Sequence, residues 1–376
     1  MNKIVFYSES ETIGGHEKMA LTAHAAIQQR YEDIQIQWLV SGQSRALADA
    51  LENAGFKYTT LADKPKGSLK RNPFRQLARL FANAAILRGL SADLVVVVQG
   101  NIVLSYGGIL ASLLARLPYC SYIPMIFQVS DIRKHRIRIA ARLLVPILYK
   151  TISSYITIDS SQAARLRRKN PGAAVFVVEN YVPKCEPHDD HPRVKSALGI
   201  PTDRKLLALI GRIEFAHKCQ DWVLRELKDD PFMEDKFVLF VGDGPDIHRL
   251  QSMLTPDLRD RFGILGWKDT LSDVYGTTDV LLIPSKNEGV PLVMLEALSY
   301  EIPVVGSDQD GMQSWLPAQW RFAWGDKAGF KQAVEQALSF PSPDEWANIT
   351  RRLTQVHDEG RFATQFNHAL TQCCKH

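Results

Sequence analysis

The chain alternates from end to end between short apolar runs rich in β-branched residues and longer stretches with helical periodicity. Continuous apolar runs of roughly four to eight residues are typical of buried strands, and helices supply the crossovers that parallel strands need. The alternation therefore predicts an α/β protein with parallel sheets covered by helices. The predicted strands are 3–7, 34–40, 94–98, 121–126, 155–158, 175–178, 205–210, 237–241, 262–265, 280–283 and 303–305.

The length of 376 residues exceeds what a single hydrophobic core ordinarily supports, so two domains are expected. Their seam is placed in 183–201, where Pro, His, Asp and Lys crowd together and apolar periodicity lapses. The predicted domains are 1–183 and 184–345, each a doubly wound, Rossmann-like sheet. Residues 346–376 have helical character only, and we expect these helices to pack back toward the N-terminal domain.

Cysteine usage and the N-terminal residues predict a cytoplasmic protein. The cysteines are odd in number and form neither a CxxC pair nor a Cys/His metal spacing, so they read as reduced thiols. Only four apolar residues precede Ser8, which is too few for a signal peptide, and no run has the apolar length that spans a bilayer. The cysteines are Cys120, Cys185, Cys219, Cys373 and Cys374.

The segment 285–298 contains two carboxylates, Glu288 and Glu296, with seven residues between them. It follows the predicted strand 280–283, and Pro291 suits the first turn of a new helix because its missing N–H is not needed there. Glu288 then lies on the loop, and Glu296 lies within the helix, whose side chains lean toward the N-terminus. Both carboxylates address the mouth of the helix, where free N–H groups and the helix dipole favour an anion.

Two carboxylates beside an anion indicate a ligand that also offers hydroxyls, because a carboxylate is purely an acceptor. A nucleotide sugar offers both a diphosphate and hydroxyls. Its diphosphate and the carboxylates repel each other, so cations must lie nearby. The segment 211–218 supplies Arg212, whose planar fork binds phosphate oxygens, and Lys218, a mobile point charge. A glycine-rich turn at 242–244 lets backbone approach a nucleotide closely.

Four elements in chain order resemble the retaining glycosyltransferase family 4, which has the GT-B fold. They are the Gly-Arg…Lys segment 211–218, the Gly-Asp-Gly turn 242–244, the Glu-x7-Glu element 288–296 and Pro-Val-Val-Gly at 303–306. The resemblance implies two Rossmann-like domains that face an interdomain cleft, with the nucleotide sugar bound by the second domain and the acceptor by the first.

The resemblance also implies roles for individual residues. The counterparts of Arg212 and Lys218 hold the diphosphate, that of Glu288 contacts the donor sugar, and that of Glu296 contacts the ribose hydroxyls. Glu288, Lys218 and Arg212 are therefore the predicted catalytic residues. The predicted donor-binding residues are Gly14, Gly15, Gly211, Arg212, Lys218, Gly242, Gly244, Glu288, Gly289, Val290, Leu292 and Glu296.

Paired glycines, Gly14 and Gly15, stand between the first predicted strand and the first helix. They permit a tight turn whose N–H groups face a ligand, and family 4 proteins carry a similar loop that approaches the donor phosphates. His16, which follows, is either specific to a subfamily or a polar residue at a helix start. Many relatives have a histidine after the middle strand of this domain; the matching stretch 121–128 has none, and His135 lies too far along to be assumed a substitute.

Positive charge is concentrated in two stretches without acidic residues, 64–88 and 133–150, within a chain of formal net charge +4. Basic residues interleaved with apolar ones are typical of helices that lie on anionic lipid. Docking on the inner membrane face to reach a lipid-linked acceptor is one interpretation, and solvated helix faces with apolar undersides are the other. No recognised nucleic-acid-binding motif accompanies the charge, so nucleic acid is not a predicted partner.

The predicted function is transfer of a hexose from a UDP- or GDP-linked donor to an acceptor hydroxyl of a lipid-linked, polysaccharide or lipopolysaccharide precursor. The resemblance implies retention of the anomeric configuration. No carboxylate is obviously placed as a nucleophile, so the leaving diphosphate is expected to take the acceptor's proton. No cofactor and no metal are predicted, because the DxD-like Asp308-Gln309-Asp310 falls late in the second domain.

Two other classes of protein stay open. A non-catalytic two-domain protein could bind a nucleotide sugar with the same residues, although a signal peptide would be expected of a sugar-binding protein. A Rossmann-type dehydrogenase is disfavoured because neither glycine turn completes G-x-G-x-x-G. The donor base, the sugar, the acceptor and the oligomeric state are not legible in the sequence.

Overall fold

The computed structural model describes residues 1–62, 73–126, 135–184, 191–339 and 343–375. Its compact units are Met1–Tyr181 together with Asp358–His376, called unit 1 below, and Val182–His357, called unit 2. The chain thus enters unit 2 close to the boundary expected at 183. It returns to unit 1 at Asp358, which is later than the boundary expected at 346.

Unit 1 is built on a sheet of seven parallel strands in the order β3-β2-β1-β4-β5-β6-β7. The strand order reverses between β1 and β4, which are parallel neighbours at the centre of the sheet. The strands are β1 Lys3–Ser8, β2 Gln35–Val40, β3 Tyr58–Thr60, β4 Leu94–Val98, β5 Tyr119–Tyr122, β6 Ser154–Thr157 and β7 Ala174–Val177. The helices are α1 Gly15–Arg30, α2 Arg45–Asn53, α3 Pro73–Leu90, α4 Tyr106–Ala115, α5 His135–Lys150 and α6 Ser160–Lys169.

Alternate side chains of β1 point to opposite faces of this sheet, as the two-residue period of a strand requires. Val5 and Tyr7 share a core with α3, α4 and α5. Phe6, on the other face, stacks on Trp38 at 4.9 Å between ring centroids. The indole N–H of Trp38 donates to Nδ1 of His24 on α1 at 3.1 Å, and burial lowers the pKa of His24 to about 4. His24 is therefore a neutral acceptor inside this core.

The last helix of the chain, α15 (Glu359–Cys373), belongs to unit 1. The ring of Phe366 lies 6.5 Å from that of Phe6 and 5.6 Å from that of Tyr122, on the face that α1 also covers. The preceding helix, α14 (Pro343–Val356), stays with unit 2 because its Trp346 packs on the buried Trp320. The helical segment expected to return as one piece is therefore divided between the units.

Unit 2 has a sheet of six parallel strands in the order β10-β9-β8-β11-β12-β13. The strand order reverses between β8 and β11, and ligands of such sheets bind outside the carboxyl ends of the strands at that point. The strands are β8 Lys205–Ile210, β9 Lys236–Val241, β10 Phe262–Gly266, β11 Val280–Ile283, β12 Val304–Ser307 and β13 Arg321–Phe322. The remaining helices are α7 His191–Ala197, α8 Gln220–Leu227, α9 Ile247–Met253, α10 Ser272–Thr277, α11 Leu292–Ser299, α12 Asp310–Gln313 and α13 Lys327–Leu338.

The predicted α/β class is confirmed, with two parallel sheets and helices between their strands. Two strands were not predicted, β3 and β13, which have three and two residues. Strands this short carry too few residues for a periodic pattern. They lie at the outer edges of the two sheets, so missing them does not change the centre of either sheet.

Candidate functional site

The candidate site lies in unit 2, in the loops that follow β8 and β11 at the carboxyl ends of these adjacent strands. The loops 211–219 and 284–291 are tied together, because the backbone N–H of Lys286 donates to the carbonyl of His217 at 2.9 Å. The second loop is held in addition from β12, where the Ser307 hydroxyl donates to the carbonyl of Ser285. The two segments that carry the predicted diphosphate cations and the predicted sugar carboxylate thus form one surface.

Lys218 and Glu288 form an ion pair across these loops, with Nζ of Lys218 donating to Oε1 of Glu288. The side chain of Glu288 is only 11% exposed, whereas that of Lys218 is 31% exposed. The sequence predicted a separate partner for each charge: a phosphate for the lysine and a sugar for the carboxylate. In the structure each side chain instead satisfies the other, which keeps the nearly buried carboxylate paired.

Arg212 lies on the same loop as Lys218 but is oriented differently. Its side chain is 52% exposed, and its Nε lies 3.7 Å from Oε2 of Glu214. The backbone is held firmly, because the Gln220 side chain donates to the Arg212 carbonyl at 2.9 Å and accepts from the Glu214 N–H at 3.2 Å. A guanidinium on a fixed backbone with an exposed fork is able to reorient onto phosphate oxygens.

In the turn after β9, neighbouring backbone comes so close that only glycine fits at two positions. Gly242 has φ +133°, and a Cβ on it would lie 2.1 Å from the carbonyl oxygen of Gly211. A Cβ on Gly244 would lie 2.3 Å from the carbonyl oxygen of Ile213. The turn was expected to allow close approach to a nucleotide, yet the backbone that approaches it is that of the loop after β8. Nucleotide contact by Gly242 and Gly244 stays a prediction.

Pro291 is the residue before α11, with φ −63° and ψ 133°, and the helix begins at Leu292. It was predicted within the first turn, so the helix start is one position later than expected. Glu288 lies on the preceding loop and Glu296 is the fifth residue of the helix, as predicted. No side chain caps this helix start. The helix mouth therefore keeps its predicted capacity for an anion.

The loop between Glu288 and α11 is held by a residue that the sequence did not indicate. A Cβ on Gly311 of α12 would lie 1.5 Å from the carbonyl oxygen of Gly289, so only glycine lets these backbones touch. Val290 turns inward and is 8% exposed. Gly289 and Val290 thus shape the loop through backbone contact and burial, and their contact with a donor stays a prediction.

Tyr275 is a second residue of this site that the sequence did not indicate. Its hydroxyl donates to Oε2 of Glu296 at 2.6 Å. Tyr275 lies on α10, before β11, whereas Glu296 lies on α11, after it. Nothing in the spacing of these residues signals a contact, because the intervening strand and loop bring the two helices side by side.

The glycine turn of unit 1 forms the start of α1. The N–H of Gly14 donates to Oε2 of Glu17 at 2.8 Å, so this amide is already used within the helix cap. Nε2 of His16 lies 2.7 Å from Oε1 of the same fully buried carboxylate. His16 therefore has the role of a polar residue at a helix start. The Gly14 N–H therefore has a partner within the protein, and donor contact by Gly14 and Gly15 stays a prediction.

The DxD-like segment 308–310 and the stretch 121–128 are two further features noted in the sequence. The carboxylate of Asp308 pairs with the guanidinium of Arg321. Within the described ranges no group of three or more His, Cys, Asp and Glu side chains is arranged to hold a metal ion. The stretch 121–128, where relatives have a histidine, is described only to residue 126, and residues 127–134 lie outside the described ranges.

A cavity of about 570 Å³ lies beside β9 and β10 in unit 2. It is lined at the carboxyl ends of these strands by Gly242, Asp243 and Gly266, and further along by Phe237 and Ile264. The lining does not include Lys218 or Glu288. The cavity thus adjoins the glycine turn rather than the ion pair.

Comparison with known families gives a match to part of unit 2. Residues 204–339 match the family model described as glycosyl transferases group 1. This match covers β8 to α13, and therefore the loops that carry Arg212, Lys218 and Glu288 and the helix that carries Glu296.

Curated relatives extend the likeness over part of the chain. N-acetyl-alpha-D-glucosaminyl L-malate synthase of Bacillus anthracis is 30% identical over 124 residues, which are 33% of this chain and 32% of the relative. The 2-deoxystreptamine N-acetyl-D-glucosaminyltransferase of Streptomyces fradiae is 28% identical over 253 residues, 63% of this chain and 59% of the relative. The chain thus spans between about one third and three fifths of the length of these two relatives.

Solved structures match over nearly the whole chain at low identity. HepE of Anabaena, in a complex with UDP-glucose, superposes with a TM-score of 0.77 at 17% identity, covering 98% of this chain and 99% of that chain. WaaG, a glycosyltransferase involved in lipopolysaccharide biosynthesis, gives a TM-score of 0.71 at 13% identity, covering 97% and 98%. The fold is GT-B, as the resemblance in the sequence implied.

Proposed function

We propose that this chain, a family 4-like protein of GT-B fold with a group 1 glycosyltransferase segment at 204–339, moves a hexose from a nucleoside diphosphate to an acceptor hydroxyl. The observation that carries the proposal is the Lys218–Glu288 ion pair at the point where the strand order of unit 2 reverses. A cation for the diphosphate and a carboxylate for the sugar are adjacent there, beside a helix start without a side-chain cap.

In this proposal the donor diphosphate replaces Glu288 as the partner of Lys218. Arg212 turns its exposed guanidinium onto the same phosphates, and the first amides of α11 add partial positive charge. These groups stabilise the negative charge that develops on the leaving diphosphate. Glu288, once released from Lys218, accepts hydrogen bonds from the sugar hydroxyls.

The anomeric configuration is retained in this proposal, and the leaving phosphate oxygen takes the proton of the acceptor hydroxyl as the new glycosidic bond forms. The proton goes to the group that gains negative charge, so the step needs no separate base. No protein nucleophile is required either, since the acceptor attacks from the face that the diphosphate leaves. Binding and orientation of the two substrates supply the rest of the rate enhancement.

UDP is the first nucleotide to test, because HepE has been crystallised with UDP and with UDP-glucose. We expect UDP, added at roughly a hundred times its Kd, to raise the melting temperature by several degrees through mass action. A thermal-shift screen of UDP, GDP and their common sugars measures this, and the donor that stabilises most is then incubated as a radiolabelled sugar with acceptors.

The screen and the transfer assay separate the alternatives. Stabilisation by a nucleotide sugar together with labelled product supports the proposed enzyme. Stabilisation with neither transfer nor hydrolysis across lipid-linked and oligosaccharide acceptors favours the non-catalytic binding protein. Stabilisation by NAD or NADP alone, with no response to nucleoside diphosphates, would favour the dehydrogenase.

We further propose that the acceptor is lipid-linked and that unit 1 docks on an anionic membrane surface. Within the described residues, no helix is long and apolar enough to span a bilayer. On α3, Phe74, Leu77 and Phe81 are more than half exposed and share one helix face, with the exposed Arg75 beside them. Leu87, from the same basic stretch, is buried in the core of unit 1.

The apolar residues of 64–88 therefore include both kinds: Leu87 packs in the core, whereas Phe74, Leu77 and Phe81 form an exposed row on the helix surface. Residues 64–72 of that stretch lie outside the described ranges, as do residues 133 and 134 of the second stretch. On α5, within the second stretch, Leu144 and Ile147 are each 57% exposed. Exposed apolar rows next to arginines suit the boundary between headgroups and acyl chains.

Replacing Phe74, Leu77 and Phe81 together by glutamine is expected to lower the fraction that floats with vesicles rich in phosphatidylglycerol at least ~10-fold. The reason is the loss of three apolar side chains from the contact. The control is Trp267→Gln, which removes an apolar side chain that is 57% exposed on unit 2. Equal flotation of the triple variant and the wild type, or no flotation of either, would contradict membrane docking by α3.

A further inference from the structure

The carboxylate of Glu296 is held by an aromatic side chain from another helix. The Tyr275 hydroxyl donates to its Oε2 at 2.6 Å, and Tyr275 is 3% exposed. The Tyr275 ring also stacks on Tyr300, with centroids 5.1 Å apart and planes 21° from parallel. Glu296 lies on α11 and Tyr300 is the residue that ends this helix, four positions later, so the Tyr275 ring packs beside the end of the helix and its hydroxyl reaches the carboxylate.

This geometry restricts a side chain that would otherwise sample several rotamers. Glutamate loses rotamer freedom when it is ordered, and a ligand that must order it binds more weakly. Stacking fixes the Tyr275 ring, the ring fixes its hydroxyl, and the hydroxyl fixes Oε2. The other carboxylate oxygen, Oε1, is then held in one place on α11, the helix that directly follows the loop of Glu288.

We propose that Tyr275 is a positioning residue for nucleotide recognition: it orders Glu296 so that Oε1 accepts a hydrogen bond from the ribose of the nucleoside diphosphate. The inference rests on the proposed function, in which Glu296 meets the ribose. It assigns to α10, which contains none of the predicted site residues, a part in donor affinity that acts through Glu296. Tyr275 itself touches neither the phosphates nor the sugar in this assignment.

The alternative is that the Tyr275 hydroxyl only fastens α10 to α11. Both roles would lower stability when the hydroxyl is removed, so stability does not separate them. They differ in how the effect depends on the ribose. A positioning role makes the loss depend on ribose hydroxyls and on Glu296, whereas a fastening role affects every ligand of unit 2 equally.

The test is Tyr275→Phe, which keeps the ring and its stacking while removing the hydroxyl. The Kd values of UDP and of 2′,3′-dideoxy-UDP are measured by calorimetry, and KM and kcat by radiolabelled transfer from the donor found in the screen. We expect the Kd of UDP and the donor KM to rise roughly tenfold, with kcat within about twofold of wild type. The Kd of the dideoxy nucleotide should change by less than about twofold, since it lacks the hydroxyls that Glu296 accepts.

Thr277→Val is the control for loss of a hydroxyl from α10, because the Thr277 hydroxyl donates to the carbonyls of Asp273 and Val274 in its own helix; its UDP affinity should equal that of wild type. In a Glu296→Gln background, Tyr275→Phe should add less than about twofold. An equal loss for both nucleotides, or an undiminished effect on top of Glu296→Gln, would overturn the positioning role. If the wild type binds none of UDP, GDP and their sugars, the proposed function and this inference fail together. If the wild type binds UDP and the Tyr275→Phe variant binds it with the same Kd, only the inference is overturned.

Discussion

Replacing Lys218 by alanine is expected to lower turnover roughly 10²- to 10³-fold. In the proposed mechanism Lys218 is the cation nearest to the charge that develops on the leaving diphosphate, and Arg212 alone replaces little of it. The variant also leaves Glu288 nearly buried without its cation, and that carboxylate then repels the incoming phosphates. Both effects act in the same direction, so this substitution has the largest expected effect. Steady-state transfer from the radiolabelled donor measures it.

Lys228→Ala is the control for the loss of a positive charge from unit 2. The Lys228 side chain is 48% exposed and its Nζ lies 3.5 Å from the surface carboxylate of Asp229, so its removal should leave turnover within about twofold of wild type. Melting temperatures of both variants show whether either has lost its fold. A folded Lys218→Ala variant with near-normal turnover would refute the role assigned to Lys218.

The same ion pair shows what the sequence could predict about this site and what it could not. Glu288 and Lys218 lie 70 positions apart in the chain. Each follows a strand of a parallel sheet, and the carboxyl ends of neighbouring strands meet at one edge, so a shared site was predictable. Their direct contact was not, because the sequence contains no information on which charges pair when no ligand is bound.

The glycines of unit 2 illustrate a different limit. Gly242 was predicted from a strand-turn-helix pattern that many nucleotide-binding proteins share. The structure gives it another physical reason, the approach of the Gly211 carbonyl, and gives Gly311 the same kind of reason against Gly289. A glycine pattern indicates that something approaches the backbone closely, but a partner from a distant loop leaves no periodic or local signal.

The fold was more predictable than the site because its signal is repeated along the chain. Strand β4 is a continuous apolar run and β8 is one from its second residue onward, which follows from burial on both faces. The division of the last helices was not predictable in the same way. Both α14 and α15 are amphipathic helices, and only tertiary partners, Trp320 for α14 and Phe6 for α15, determine the unit on which each packs.

Glu288→Gln is expected to have opposite effects on nucleotide binding and on transfer. Glutamine has nearly the shape of glutamate but no negative charge, so Lys218 loses its competing partner and the phosphates lose a source of repulsion. UDP, which has no sugar, should then bind about three- to tenfold more tightly. Transfer should fall roughly 10²-fold, since a charged acceptor for the sugar hydroxyls is lost in the transition state.

Calorimetry with UDP and steady-state transfer test the two effects of Glu288→Gln separately. Glu226→Gln, a change on helix α8, serves as the charge-matched control. Weaker binding of both UDP and the complete donor would mean that the Lys218–Glu288 pair holds the loops in their binding conformation rather than competing with the ligand. Tighter UDP binding with normal transfer would refute the proposed contact between Glu288 and the donor sugar. Tighter UDP binding together with slower transfer is the expected result. It would mean that the Glu288 carboxylate weakens nucleotide binding but stabilises the transition state of sugar transfer, as proposed for a residue between the cation of the diphosphate and the hexose.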